Sequence, residues 1–120
     1  MKFGKIRNKL NLKTIHAETG IEDLNVKTAC GADLMSDVLA FSNAKSMLIT
    51  GLTNPQVIRT SEMIEIKIII FVRGKKPLEE TIELAKENAI SLFMTDKPMF
   101  EICGKLYNLG LKPEKLVKIE

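Results

Sequence analysis

Three polar stretches carry the residues best suited to chemistry: Thr50-Gly51-Leu52-Thr53-Asn54-Pro55, Arg73-Gly74-Lys75-Lys76-Pro77 and Thr95-Asp96-Lys97-Pro98. Each follows an apolar run, Ser46 to Thr50, Ile66 to Val72 or Ser91 to Thr95, and each leads into an amphipathic stretch of helical period. If the runs are parallel strands, Thr50-Gly51, Arg73-Gly74 and Thr95-Asp96 share the carboxyl edge of one sheet, where open α/β sheets bind ligands. The chemistry available there is anion binding. Arg73, Lys75 and Lys76 bring full positive charge, and helices opening after Asn54 and Pro77 bring free N–H groups and positive dipole ends. The candidate ligand-binding residues are therefore Thr50, Gly51, Thr53, Asn54, Arg73, Gly74, Lys75, Thr95 and Asp96, and the group they suit is a phosphate or a carboxylate. A plainer reading covers the same residues: the glycines and prolines build turns, and the basic side chains are solvated.

Other chemistries find little footing. The chain has no G-x-x-x-x-G-K-[ST] phosphate loop, no G-x-G-x-x-G after a strand and no C-x-x-C pair. Its single histidine, His16, stands between Ile15 and Ala17 with no set of ligands at metal spacing, so it reads as structural, and no metal or cofactor is expected. Asp23, Asp33, Asp37 and Asp96 fall at turns, where carboxylates commonly cap. An enzyme acting through Asp33, Ser36 or Asp37 needs a general base near Ser36 that the sequence does not show, so no catalytic residue is assigned.

A length of 120 residues suits one domain, long enough to bury a core without disulfide or metal. Cys30 and Cys103 are far apart in apolar stretches and read as buried reduced thiols. The net charge of +3 comes from lysines spread along the chain, a solvated surface rather than a nucleic-acid footprint. Aromatic residues make up only 5%, too few for a base-stacking platform. No signal-peptide core or membrane-length apolar run is present, so no membrane association and a cytoplasmic location are expected.

The elements that must position these residues follow from periodicity and punctuation. Lys2 to Leu10 reads as a helix through Phe3, Ile6 and Leu10, ended by Asn11. Leu12 to Ala17 and Val26 to Cys30 read as strands around a turn region at Gly20. Asp33 to Phe41 places Leu34, Met35, Val38 and Leu39 on a helical stripe, with Asp33 or Ser36 as its N-cap. Asn54 before Pro55 caps the next helix, whose inner face is Val57, Ile58 and Ser61. Pro77 opens another in the same way, with Glu79 and Glu80 in its first turn and Leu78, Ile82 and Ala85 inward. The last begins near Asp96 or Lys97, faces inward through Met99, Ile102, Cys103 and Leu106, and ends in a Schellman pattern at Gly110-Leu111. Ile66 to Val72 is apolar enough to be the sheet's spine. The tail from Lys112 to Glu120 reads as a closing strand or a mobile end, and strand order stays open.

The order of these elements resembles the DRTGG domain family over nearly the whole chain. The likeness is carried by Ala32-Asp33-Leu34-Met35-Ser36-Asp37-Val38-Leu39-Ala40, Ile49-Thr50-Gly51, Pro55-Gln56, Val72 to Pro77 and Met99 to Tyr107. Its most telling part is A-D-L-x-S-D-V-L followed by a strand ending in Thr-Gly, which marks Asp33, Ser36 and Asp37 as family-like positions. Asp23 to Gly31, where the naming motif belongs, keeps only fragments of it. The resemblance implies a three-layer α/β sandwich with a mainly parallel sheet, like the N-terminal domain of HPr kinase/phosphorylase without the kinase domain. It also implies a regulatory, non-enzymatic module that dimerises. The reading that follows is a ligand-sensing homodimer for a small anionic metabolite or nucleotide. The alternative is an interaction subunit that docks on itself or on a partner enzyme through outward apolar residues such as Phe41, Phe100 and Tyr107.

Overall fold

The computed structural model of the chain describes residues 1–113. In chain order the elements are helix α1 (Phe3–Leu10), strand β1 (Lys13–His16), a 3₁₀ turn (Ile21–Asp23), β2 (Thr28–Gly31), α2 (Met35–Phe41) and β3 (Met47–Thr50). There follow α3 (Gln56–Met63), β4 (Ile68–Phe71), α4 (Glu79–Glu87), β5 (Ser91–Met94), α5 (Met99–Leu109) and β6 (Lys112–Pro113). The strands form one six-stranded sheet in the order β1-β5-β4-β3-β2-β6. All neighbours are parallel except β1, which runs antiparallel to β5 along one edge.

Alternation along the strands builds two cores, one on each face. Met47, Ile49, Ile68, Ile70 and Phe93 meet Phe3, Ile6 and Leu10 of α1 and Ile102 and Leu106 of α5. Leu48, Ile69, Phe71 and Leu92 meet Met35 and Val38 of α2, Val57 and Ile58 of α3, and Ile82 and Ala85 of α4. The molecule is thus a three-layer α/β sandwich. All four residues of β3 and of β4 are buried, as a strand covered on both faces requires. The rings of Phe3 and Phe93 pack 4.6 Å apart at 49°, pinning α1 to β5. Among the described residues, no helix is long and apolar enough to cross a membrane.

Strand–turn–helix units are more frequent than the sequence suggests, because β2 also runs parallel and feeds α2. Steps from β2 to β5 proceed across the sheet with helices on one face. The step from β5 to β6 returns to the far edge through α5 on the other face, which keeps every crossover of one hand.

Several boundaries differ from the sequence reading, each for a tertiary reason. Neither Asp33 nor Ser36 caps α2: Leu34 stands at the cap position in extended conformation with no side-chain cap, because the Asp33 carboxylate is engaged elsewhere. Of the α2 stripe only Met35 and Val38 are buried, and Leu34 is 61% exposed. Pro77 does not open α4, which begins at Glu79. Leu78 is extended at ψ 154°, with its N–H donated to the Thr53 carbonyl and its side chain exposed. α5 starts at Met99, since Pro98 biases Lys97 away from helix and the Lys97 carbonyl accepts from Arg73 N–H.

The remaining punctuation holds. Asn11 ends α1 in the left-handed region at φ 52°. The side-chain oxygen of Asn54 accepts from Gln56 N–H at 3.0 Å, with Pro55 in helical conformation. Leu111 N–H closes onto the Leu106 carbonyl beyond Gly110, the Schellman bond. Cys30 is buried on one face of the sheet as expected, whereas Cys103, expected to be buried, is only partly so against the other face. Of the tail, Lys112–Pro113 pairs with β2 as β6, and the rest lies outside the described residues.

Candidate functional site

The carboxyl ends of β2, β3, β4 and β5 lie side by side, so the loops that follow them form one edge. After β4 the chain turns to α4 on one face, and after β5 to α5 on the other. That divergence is the topological switch point at which open α/β sheets place ligands. Here backbone bonds bridge it: Arg73 N–H donates to the Lys97 carbonyl and Gly74 N–H to the Thr95 carbonyl, both at 2.9 Å.

Arg73 and Gly74 are the central residues of a tight turn closed by Lys75 N–H to the Val72 carbonyl. Both have positive φ, 61° and 67°, the combination of a type I′ turn. Glycine accepts that backbone freely, whereas a non-glycine residue there is disfavoured by about 1–2 kcal/mol. An arginine at such a position is a local strain whose gain must come from its side chain.

That side chain reaches across the neighbouring loop. Arg73 Nη1 lies 3.6 Å from Oδ2 of Asp33, which stands between β2 and α2. Oδ1 of the same carboxylate accepts from Gly51 N–H at 2.7 Å and from the Thr50 hydroxyl at 3.2 Å. The Gly51 N–H above all, with the Thr50 hydroxyl and the Arg73 charge, holds the Asp33 carboxyl below the ordinary carboxylate range, against the opposing effect of partial burial. Gly51 is glycine for a steric reason: a Cβ there would sit 2.6 Å from Arg73 Nη1. One carboxylate thus gathers the ends of three strands.

The other candidates divide by what already holds them. Thr50 is fully buried, and its hydroxyl also accepts from Leu52 N–H, so it acts through Asp33 and the loop. Thr53 gives its carbonyl to Leu78 N–H and to the Thr81 hydroxyl, tying the β3–α3 loop to the start of α4. Asn54 caps α3. Thr95 accepts from Lys97 N–H, and Asp96 lies close to Gly74 on the β5 side of the switch point. Lys75 is exposed on the rim. Ser36 and Asp37 are exposed on α2, while Asp33 turns to the strand edge, so the three do not form a catalytic cluster. His16 pairs with Glu18 at 2.5 Å on β1, and no metal-holding cluster occurs among the described residues.

Sequence reasoning placed Arg73, Gly51 and Thr50 at one edge but did not include Asp33 among the ligand-contacting residues. Its place between a strand and a helix resembled a cap. A 150 Å³ cavity between α5 and the β2–β6 edge is lined by Ala29, Ile49, Leu106 and Leu111 among others. The lining is mostly apolar, with Lys112 as its one charged side chain.

No protein-family model matches the chain, and no curated protein matches it. Among solved structures it is similar to the CBS and DRTGG domains of the regulatory region of a Clostridium perfringens pyrophosphatase, complexed with the activator diadenosine tetraphosphate. The TM-score is 0.71 at 19% sequence identity, over 86% of this chain and 44% of that one. The chain therefore spans less than half of its structural neighbour. The likeness establishes a shared fold and supports a DRTGG-like domain.

Proposed function

We propose that this chain, a DRTGG-like α/β fold, is a non-enzymatic regulatory module that senses a small anionic metabolite or nucleotide at the carboxyl edge of its sheet. One observation carries the reading: the edge already holds an anion, the Asp33 carboxylate, between a backbone N–H and a guanidinium. Those are the partners by which proteins bind phosphate and carboxylate ligands. The structural neighbour is a regulatory region whose activator is a nucleotide, which supports the class of ligand. We read the whole chain as one such domain, with Arg73, Lys75 and Asp96 as the exposed side chains available to a ligand beside the loop residues Gly51 and Gly74, whose N–H groups are held by Asp33 and Thr95.

The test is a thermal-shift screen against nucleotides, phosphorylated metabolites and small carboxylates. A ligand at 100 times its Kd adds about 2.7 kcal/mol of stability. A shift with one class, abolished in Arg73→Ala, is the expected result. No shift across all classes would overturn the reading.

A second reading rests on a separate observation. Phe100 and Tyr107, one face apart by two turns of α5, are 91% and 70% exposed. Side chains of this size on one helix face suit association with a second copy or with a partner enzyme. Sedimentation velocity and a concentration-dependent Tm test it, and a monomer at high concentration would exclude the homodimer.

A further inference from the structure

We propose that Asp33 is an internal occupant of the anion position, so that an external ligand binds by displacing its carboxylate from Gly51 and Arg73. This rests on the proposed sensing role of the same edge and adds how the site is regulated.

Asp33 precedes α2 by two residues, one place outside the cap position that Leu34 occupies. The amides at the start of α2 receive no side-chain cap, and the carboxylate turns to the strand edge. Its partners there are those of a bound anion: the Gly51 N–H at 2.7 Å, the Thr50 hydroxyl at 3.2 Å and the Arg73 guanidinium at 3.6 Å. The left-handed backbone of Arg73 and the missing Cβ of Gly51 both serve to bring that guanidinium over the loop.

Release needs little rearrangement. The side chains of Asp33 and Arg73 are 50% and 43% exposed, so water or an anion reaches the pair directly. The backbone beside Asp33 stays anchored, because Ala32 N–H donates to the Ile49 carbonyl. Rotation of one side chain therefore clears the Gly51 N–H and the guanidinium. Displacement removes the tie of the β2–α2 loop to β3 and β4 directly ahead of α2, the helix that carries the exposed Leu39 and Phe41. Occupancy at the edge is coupled in this way to the start of α2, a differential contact of the kind that a ligand-driven switch requires.

The test is a titration of inorganic phosphate into ¹⁵N-labelled wild type, Asp33→Ala and Asp33→Asn at constant ionic strength, read at the Gly51 amide. Asp33→Ala empties the position and should tighten binding about tenfold, the effect of losing one charge-assisted contact in competition. Asp33→Asn keeps an oxygen for Gly51 but no charge for Arg73, and should fall between. In the wild type the Ser36 amide should respond together with Gly51. Binding in the wild type that is unchanged or weaker in Asp33→Ala would overturn the displacement and make Asp33 a positioning residue for Arg73, with the sensing site intact. If Gly51 responds in none of the three folded proteins, the sensing site and the displacement fall together.

Discussion

Arg73 passes over Gly51 so closely that its Nη1 lies 2.6 Å from where a Cβ on that glycine would stand. The guanidinium is thereby aimed at Asp33, and the ends of β2, β3 and β4 become one electrostatic unit.

Gly51→Ala should displace the guanidinium rather than unfold the chain, because the atom in the way is the far end of a flexible side chain. The expected outcome is a Tm within about 4 °C of wild type, equivalent to about 1 kcal/mol in a domain of this size, with weaker anion binding. Calorimetry and the phosphate titration check both parts. Undiminished binding would show that Arg73 does not act from this position.

Arg73→Gly separates backbone strain from side-chain role. Glycine relieves the left-handed conformation at φ 61°, and stability should rise by about 0.5–1 kcal/mol even as the ion pair with Asp33 is lost. Urea denaturation measures this. A lower midpoint would mean that the ion pair outweighs the strain.

The Asp33 carboxyl titrates below its ordinary value of 3.8 in the folded chain. Its contribution to stability is therefore complete above the unfolded pKa and is lost as pH falls through the folded one. The stability difference between wild type and Asp33→Ala should be largest near about pH 6 and shrink toward about pH 2. With both partners half-exposed it should stay below about 1 kcal/mol. Denaturation curves at the two pH values decide it, and a difference that persists in acid would point to packing rather than charge.

Thr81→Val tests the tie between the β3–α3 loop and α4. The Thr81 side chain is buried and its hydroxyl donates to the Thr53 carbonyl at 2.8 Å. Its near-isosteric replacement should cost about 1 kcal/mol, since the carbonyl keeps Leu78 N–H as a partner. Hydrogen exchange should quicken at Leu78 before it does in β4. An unchanged midpoint would show that the Leu78 bond alone holds the loop.

What the sequence determined by itself is what local physics controls. The β-branched run Ile66 to Val72 could only be a buried strand, Asn54-Pro55 could only open a helix, and Gly110 could close one, because each depends on neighbours within a turn or on φ alone. The continuity of that apolar run likewise called for a strand covered by helices on both faces. Tertiary structure decided the rest. It set β1 antiparallel at the edge, brought β6 back beside β2, and delayed α4 and α5 by taking Leu78 and Lys97 into bonds with distant loops. It also decided the role of Asp33. That residue is separated by 18 positions from Gly51, and its partner depends on which strand lies beside β2. Local propensity offered the carboxylate a helix to cap, and strand pairing offered it an amide, a hydroxyl and a guanidinium already held in place by the sheet.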